Sequence, residues 1–309
     1  MKMSKFIKST LILLIGGFLT KVLGMLIKII TTRIIGTETL GLYMLIMPTF
    51  NLFITLAQGG LPISVSKIVS ENTKDNKKIV FSSIFISICT TFFLMILLIF
   101  ISPLIAKFLH NDSLSFPIMC IGLTLPFISL SGIIRGYFFG KENMFPHVLS
   151  NNFEQVVRII LNIIFLPLLS NYEPRVSVTF LILSNVISET TSIIILYFFL
   201  PRKIKITKEM LKPEKIIIKD VLNISIPTTG SRIIGTIGYF LEPIVLTSFL
   251  LMNGYTTNYI TYEYGVLTGY VMPLLLLPSF FTMAISQATL PVISNGYANN
   301  KIPYVKKKI

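Results

Sequence analysis

The sequence predicts an all-α polytopic membrane protein with about 8 transmembrane helices, arranged as one six-helix bundle plus the first two helices of a second bundle. Three observations predict it: the composition, the length of the apolar runs and an internal repeat. Of the 309 residues, 53% are hydrophobic and only 13% charged, and the mean hydropathy is +0.78. A soluble domain carries about 25% charged residues, so the chain lacks the material for an ordinary aqueous surface.

The apolar stretches fall at 9–34, 40–66, 79–101, 116–139, 147–169, 177–200, 221–250 and 264–293, each longer than the roughly 20 residues needed to cross about 30 Å of hydrocarbon. The first follows lysines in the manner of a signal peptide, but the earliest alanine in the chain is Ala57. With no A-x-A cleavage site to close the run, it reads as a retained helix. Turn and charge signals mark the connections, among them GTETLG at 36–41, ENTKDNKK at 71–78, GKENMFP at 140–146 and NGYTTNYITYE at 253–263.

Orientation follows from lysine and arginine. With the N-terminus in the cytoplasm, twenty of these residues fall in cytoplasmic segments, Arg135 and Lys141 being one such group, while Arg33, Lys107 and Arg175 fall outside. That asymmetry predicts a multi-pass protein of the cell membrane with both termini cytoplasmic. Four cations remain within spans: Lys21, Lys28, Arg158 and Arg232.

Several chemistries are excluded. Cys89 and Cys120 lie in apolar runs, and His110 and His147 stand apart from them and from each other, so no metal site or disulfide framework is expected, nor any cofactor. The net charge of +14 is scattered between apolar segments rather than gathered on a soluble face, which argues for membrane lipids as partners and against nucleic acid. GYFFGKE at 136–142 has three residues between its glycines and Glu142 where a P-loop needs Ser or Thr, so it is no nucleotide site.

Two short matches recur in the same order. Thr20-Lys21-Val22-Leu23-Gly24 in the first span parallels Ser231-Arg232-Ile233-Ile234-Gly235 in the seventh, and Gln58-Gly59-Gly60-Leu61-Pro62 in the second parallels Gln287-Ala288-Thr289-Leu290-Pro291 in the eighth. The expected organisation is a bundle over 1–200, a basic cytoplasmic linker over 201–219, and a partial second bundle over 220–309, the chain reading as truncated after its eighth span. Parallel repeats of this kind are a recurring transporter design, with the substrate between the copies.

The segment from Lys8 to Glu71, KSTLILLIGGFLTKVLGMLIKIITTRIIGTETLGLYMLIMPTFNLFITLAQGGLPISVSKIVSE, resembles the first two helices of the stage V sporulation protein B and polysaccharide-transport branch of the multidrug/oligosaccharidyl-lipid/polysaccharide flippase superfamily. The likeness extends along the chain, strongest over 5–71 and 223–296. It implies two bundles facing a central cavity, and a substrate class of undecaprenyl-linked peptidoglycan or polysaccharide precursors used in cell-wall or spore-cortex synthesis.

Lys21 lies about 18 Å along its helix, beyond the reach of snorkelling, and Arg232 is at similar depth. A charge at the bilayer centre costs at least about 2.5–3.5 kcal/mol unless it faces protein, water or a counter-ion. Lys28, seven residues beyond Lys21, shares its face, with Gly17 and Gly24 on the same stripe. One reading makes Lys21, Lys28 and Arg232 a cationic cleft for an anionic head group. The other pairs them with Glu189 and Glu242.

Glu154 and Arg158, spaced i, i+4, can neutralise each other. Glu189 has no such partner in its own helix and is a candidate coupling carboxylate for an ion of unknown identity. Gly132, Gly136 and Gly140 form a run that favours close helix packing.

The leading function is export of a lipid-linked oligosaccharide by rocking bundles, with an anionic undecaprenyl-linked saccharide as partner and no covalent chemistry. The alternatives are a cation-coupled multidrug exporter of the same superfamily, a polyprenyl-phosphate glycosyltransferase, and an inactive fragment.

Overall fold

In a computed structural model, the residues described are 5–72, 74–201 and 214–276, with positions 278, 279, 281–283, 285, 286, 289, 290 and 293; side chains are described from Leu11 onward. Residues 202–213, the body of the expected linker, lie outside them, as do Lys2, the C-terminal lysines and Gln287, Ala288 and Pro291 of the second repeat match.

All regular elements among the described residues are helical. They are α1 (Lys5–Gln58), α2 (Leu61–Glu71), α3 (Asn76–Phe108), α4 (Ser115–Gly140), α5 (Phe145–Leu169), α6 (Pro174–Phe199), α7 (Lys215–Met252), α8 (Thr257–Val266) and α9 (Met272–Leu275), with a π-helical stretch at Leu267–Val271 between the last two. The chain is thus an all-α, multi-pass membrane protein. Among the described residues six segments are long and apolar enough to cross a bilayer, with α1 and α2 joined as one.

The difference from eight has two sources. Where the sequence predicts an outer loop at 36–41, α1 continues through a kink at Gly36, whose φ of 78° and ψ of 165° belong to backbone that only glycine adopts without strain. Its 54 residues are long enough for two crossings. The last span is divided into α8, the π stretch and α9, and then passes beyond the continuously described residues.

Two further boundaries differ from expectation. The run 40–66 breaks at Gly59 and Gly60, with φ of 50° and 66°, so Pro62 opens α2 in its first turn instead of kinking a continuous helix. The expected loop at 253–263 is helical from Thr257, because the Thr256 hydroxyl accepts the Tyr259 N–H and caps the new helix.

The main core gathers the C-terminal limb of α1 (Leu40, Leu45, Ile46, Phe53) with α3, α4 and α6, and Tyr264 of α8 joins it. A second cluster ties α2, α3 and α4 to Ile217 and Val221 of α7. Gly132, Gly136 and Gly140 do pack closely: a Cβ on Gly136 would stand 2.5 Å from the Pro62 carbonyl oxygen, and one on Gly140 2.7 Å from that of Ser66. Outward faces are large and apolar, as in α3 with Phe92, Phe93 and Phe100, and suit acyl chains.

Candidate functional site

The N-terminal limb of α1 is held to α5 by a polar stripe. Thr20 Oγ1 donates to Asn152 Oδ1 at 2.8 Å, Asn162 Nδ2 donates to Thr31 Oγ1 at 3.0 Å, and Gly16 lies against Val148. At about 100° per residue, positions 21 and 28 fall roughly a quarter turn from that stripe. The lysines therefore leave the bundle beside α5 rather than into it.

Lys28 Nζ donates to the main-chain carbonyl of Thr268, in the π stretch, at 3.1 Å. Lys21 is close enough for the two charges to interact, and around Gly24, between them, a Cβ would meet nothing within 4 Å. Among the described residues neither lysine has a carboxylate within 4.0 Å. The backbones cross most tightly just beyond the kink: a Cβ on Gly265 would lie 2.9 Å from Gly41 Cα.

Arg232 is exposed on α7, likewise with no ion pair among the described residues, and Gly230, Gly235 and Gly238 on the same helix have open space around them. Glu242 is half-buried near Tyr239 and Tyr264. An apolar cavity of about 360 Å³ lined by Ala57, Leu61, Thr90, Ser225, Gly230 and Ile233 holds none of the predicted site residues.

The buried acids are committed elsewhere. Glu154 bridges two guanidinium groups, accepting from Arg158 at 2.8 Å through Oε1 and from Arg135 at 2.9 Å through Oε2. Arg135 also donates to Ser192 at 2.7 Å and stands 3.5 Å from Glu189, which accepts a 2.7 Å hydrogen bond from Ser131. Both carboxylate side chains are under a tenth exposed. The Nε atoms of both arginines and Nδ1 of His147, which faces Arg135, are buried without a hydrogen-bond partner among the described residues.

Sequence reasoning missed Arg135. Grouped with Lys141 as a cytoplasmic loop cation, it is instead part of α4, its side chain 15% exposed, at the centre of this cluster. The signal was present: Arg135 lies within the apolar run 116–139, between Gly132 and Gly136. With it included, two arginines neutralise two glutamates, and neither Glu154 nor Glu189 is left for Lys21, Lys28 or Arg232. Without a carboxylate, the cations of the α1 face carry a positive charge that an anion can meet.

Fold and site together define a multi-pass helical membrane protein whose buried acids are neutralised by arginine while its intramembrane lysines are not. The chain belongs to the family described as polysaccharide biosynthesis protein, whose sequence profile matches residues 6–296. It is 37% identical over 315 residues to stage V sporulation protein B of Bacillus subtilis (strain 168), covering 98% of this chain and 61% of that protein. Lipid II flippase MurJ of the same organism is 27% identical over 171 residues, 51% of this chain and 31% of its own length.

Among solved structures, a transporter of the MOP superfamily from Pyrococcus furiosus, described as having a binding pocket of reversed polarity, superposes with a TM-score of 0.75 at 19% identity, covering 97% of this chain and 66% of that one. The chain therefore has the fold of these transporters, and it spans 61% of the length of the sporulation protein. The branch to which residues 5–71 and 223–296 point is the one the comparisons find along nearly the whole sequence.

Proposed function

We propose that the chain acts in flipping a lipid-linked oligosaccharide or peptidoglycan precursor across the cell membrane, with Lys21, Lys28 and Arg232 meeting the anionic diphosphate of an undecaprenyl-linked saccharide. The observation that carries this reading is the lack of any carboxylate within 4.0 Å of the two α1 lysines among the described residues, beside open space at Gly24. An uncompensated cation within a span is costly unless it faces water or an anion. A diphosphate fits that need, and similarity to a protein named lipid II flippase supports the substrate class.

In this reading residues 1–200 and 220–309 are two modules joined by the linker 201–219, with both termini cytoplasmic. The modules rock about the cationic face, the head group crosses with them, and the lipid tail stays in the bilayer. The work is binding and conformational change, without bond making or a cofactor. A multidrug exporter for cationic compounds needs free acids in its cavity, whereas Glu154 and Glu189 are held by arginine. A polyprenyl-phosphate glycosyltransferase needs clustered acids for a metal or base. Metal-dependent sugar transfer by the purified protein would favour that enzyme instead.

The direct test is binding of undecaprenyl diphosphate to the chain in lipid nanodiscs. Each charge-assisted contact contributes about 1.5–3 kcal/mol, so Lys21→Gln combined with Arg232→Gln should weaken binding by at least about 100-fold. The same pair of changes in a full-length relative should abolish translocation while leaving membrane insertion intact. Unchanged affinity and unchanged flipping would refute the cationic face.

A further inference from the structure

The buried cluster on α4, α5 and α6 is asymmetric in a way that an inert structural lock does not require. Glu154 uses both oxygens, one on each arginine, at 2.9 and 2.8 Å. Glu189 uses one: Oε2 accepts from Ser131 at 2.7 Å and stands 3.5 Å from Arg135, while Oε1 accepts no hydrogen bond among the described residues. We propose that Glu189 is a proton-binding site, taking up one proton at Oε1, and that its protonation loosens α4 from α6.

The charged and titratable groups facing it come from each helix packed on α6. Arg135 faces it from α4. Glu154 and Arg158 do so from α5, where His147 lies beside Arg135, and Tyr43 of α1 lies beside Arg158 and Asn185. With both glutamates ionised the two arginines are balanced. A proton arriving from water forms one O–H bond on Oε1, no other covalent bond changes, and the cluster becomes singly positive.

Arg135 then keeps Glu154 and Ser192 but loses its anionic partner on α6, which is the only ion pair between α4 and α6 among the described residues. Removing that attraction from a low-dielectric interior has far more effect than it would at a surface. The three helices meet here, and the N-terminal limb of α1 that carries Lys21 and Lys28 is fastened to α5 next door. A proton at Glu189 is therefore placed to bias the arrangement of the helices that hold the cationic face. Only this consequence rests on the transport reading; the proton site does not.

Infrared difference spectroscopy of the chain in bilayers tests the site without any transported substrate. A protonated-carboxyl band should grow as pH falls, disappear in Glu189→Gln, and persist in Glu242→Gln. Because Ser131 donates to the ionised form, Ser131→Ala should shift the midpoint of that band to higher pH, a readout that survives if Glu189→Gln fails to fold. A band that persists in Glu189→Gln, or a midpoint that Ser131→Ala leaves in place, overturns the proposal. A titrating Glu189 in a chain that neither binds nor moves an undecaprenyl diphosphate would sink the transport reading and leave this one standing.

Discussion

Lys28 and Thr268, 240 residues apart, join the first limb of α1 to the last described span: the ammonium donates to a main-chain carbonyl at 3.1 Å. The acceptor lies in a π-helical stretch, where the N–H of Met272 reaches five residues back to Leu267 and the regular ladder is locally rearranged. The Thr268 carbonyl is a neutral dipole, so this contact supplies the lysine with a hydrogen-bond acceptor but no counter-charge. Under the proposed function an incoming phosphate competes with the Thr268 carbonyl for the same ammonium, so substrate binding and release of this contact are one event.

Lys28→Met keeps the aliphatic stem and removes both the hydrogen bond and the cost of burying a charge. These effects oppose each other, so thermal stability should change by less than about 1 kcal/mol, while amide hydrogen exchange across 267–271 accelerates. A loss of several kcal/mol would show that the contact serves the fold rather than a ligand.

The arginine–glutamate cluster should behave as one unit. Arg135→Met leaves Glu189 and half of Glu154 buried and unpaired, and breaking a buried pair from one side costs about 3–5 kcal/mol. Adding Glu189→Gln restores charge balance, because Arg158 and Glu154 remain as a neutral pair 2.8 Å apart. The double variant should therefore be more stable than Arg135→Met alone. Denaturant unfolding in mixed micelles measures this, and strictly additive losses would contradict it.

The glycines separate into those that need the absence of a side chain and those that do not. Gly136→Ala drives a Cβ to 2.5 Å from the Pro62 carbonyl oxygen and should destabilise by about 1–3 kcal/mol. Gly36→Ala forces an L side chain into a φ of 78° and ψ of 165°, at a cost of about 1–3 kcal/mol. Gly24→Ala meets nothing within 4 Å and serves as the neutral control. Equal unfolding temperatures for all three variants would mean that neither the α2–α4 contact nor the kink is as tight as described.

Composition and apolar run length settled by themselves that this is a helical membrane protein, since burial in lipid is a property of whole segments and needs no knowledge of neighbours. The lysines of α1 and their shared face were equally legible, because a helix sets which residues lie over one another. The Glu154–Arg158 pair followed from the same local geometry.

What tertiary structure alone decided is how charge is shared between helices. Arg135, Glu154 and Glu189 lie on three different helices, and no periodicity within one helix reports which arginine reaches which glutamate. That pairing determines which cations are left over, and so it governs the whole reading of the site. Gly36 escaped the sequence for a related reason: a polar, glycine-containing segment is compatible with a loop or with a single kinked residue, and the close approach of Gly41 to Gly265 of α8, which lies next to the kink, appears only when the helices are assembled.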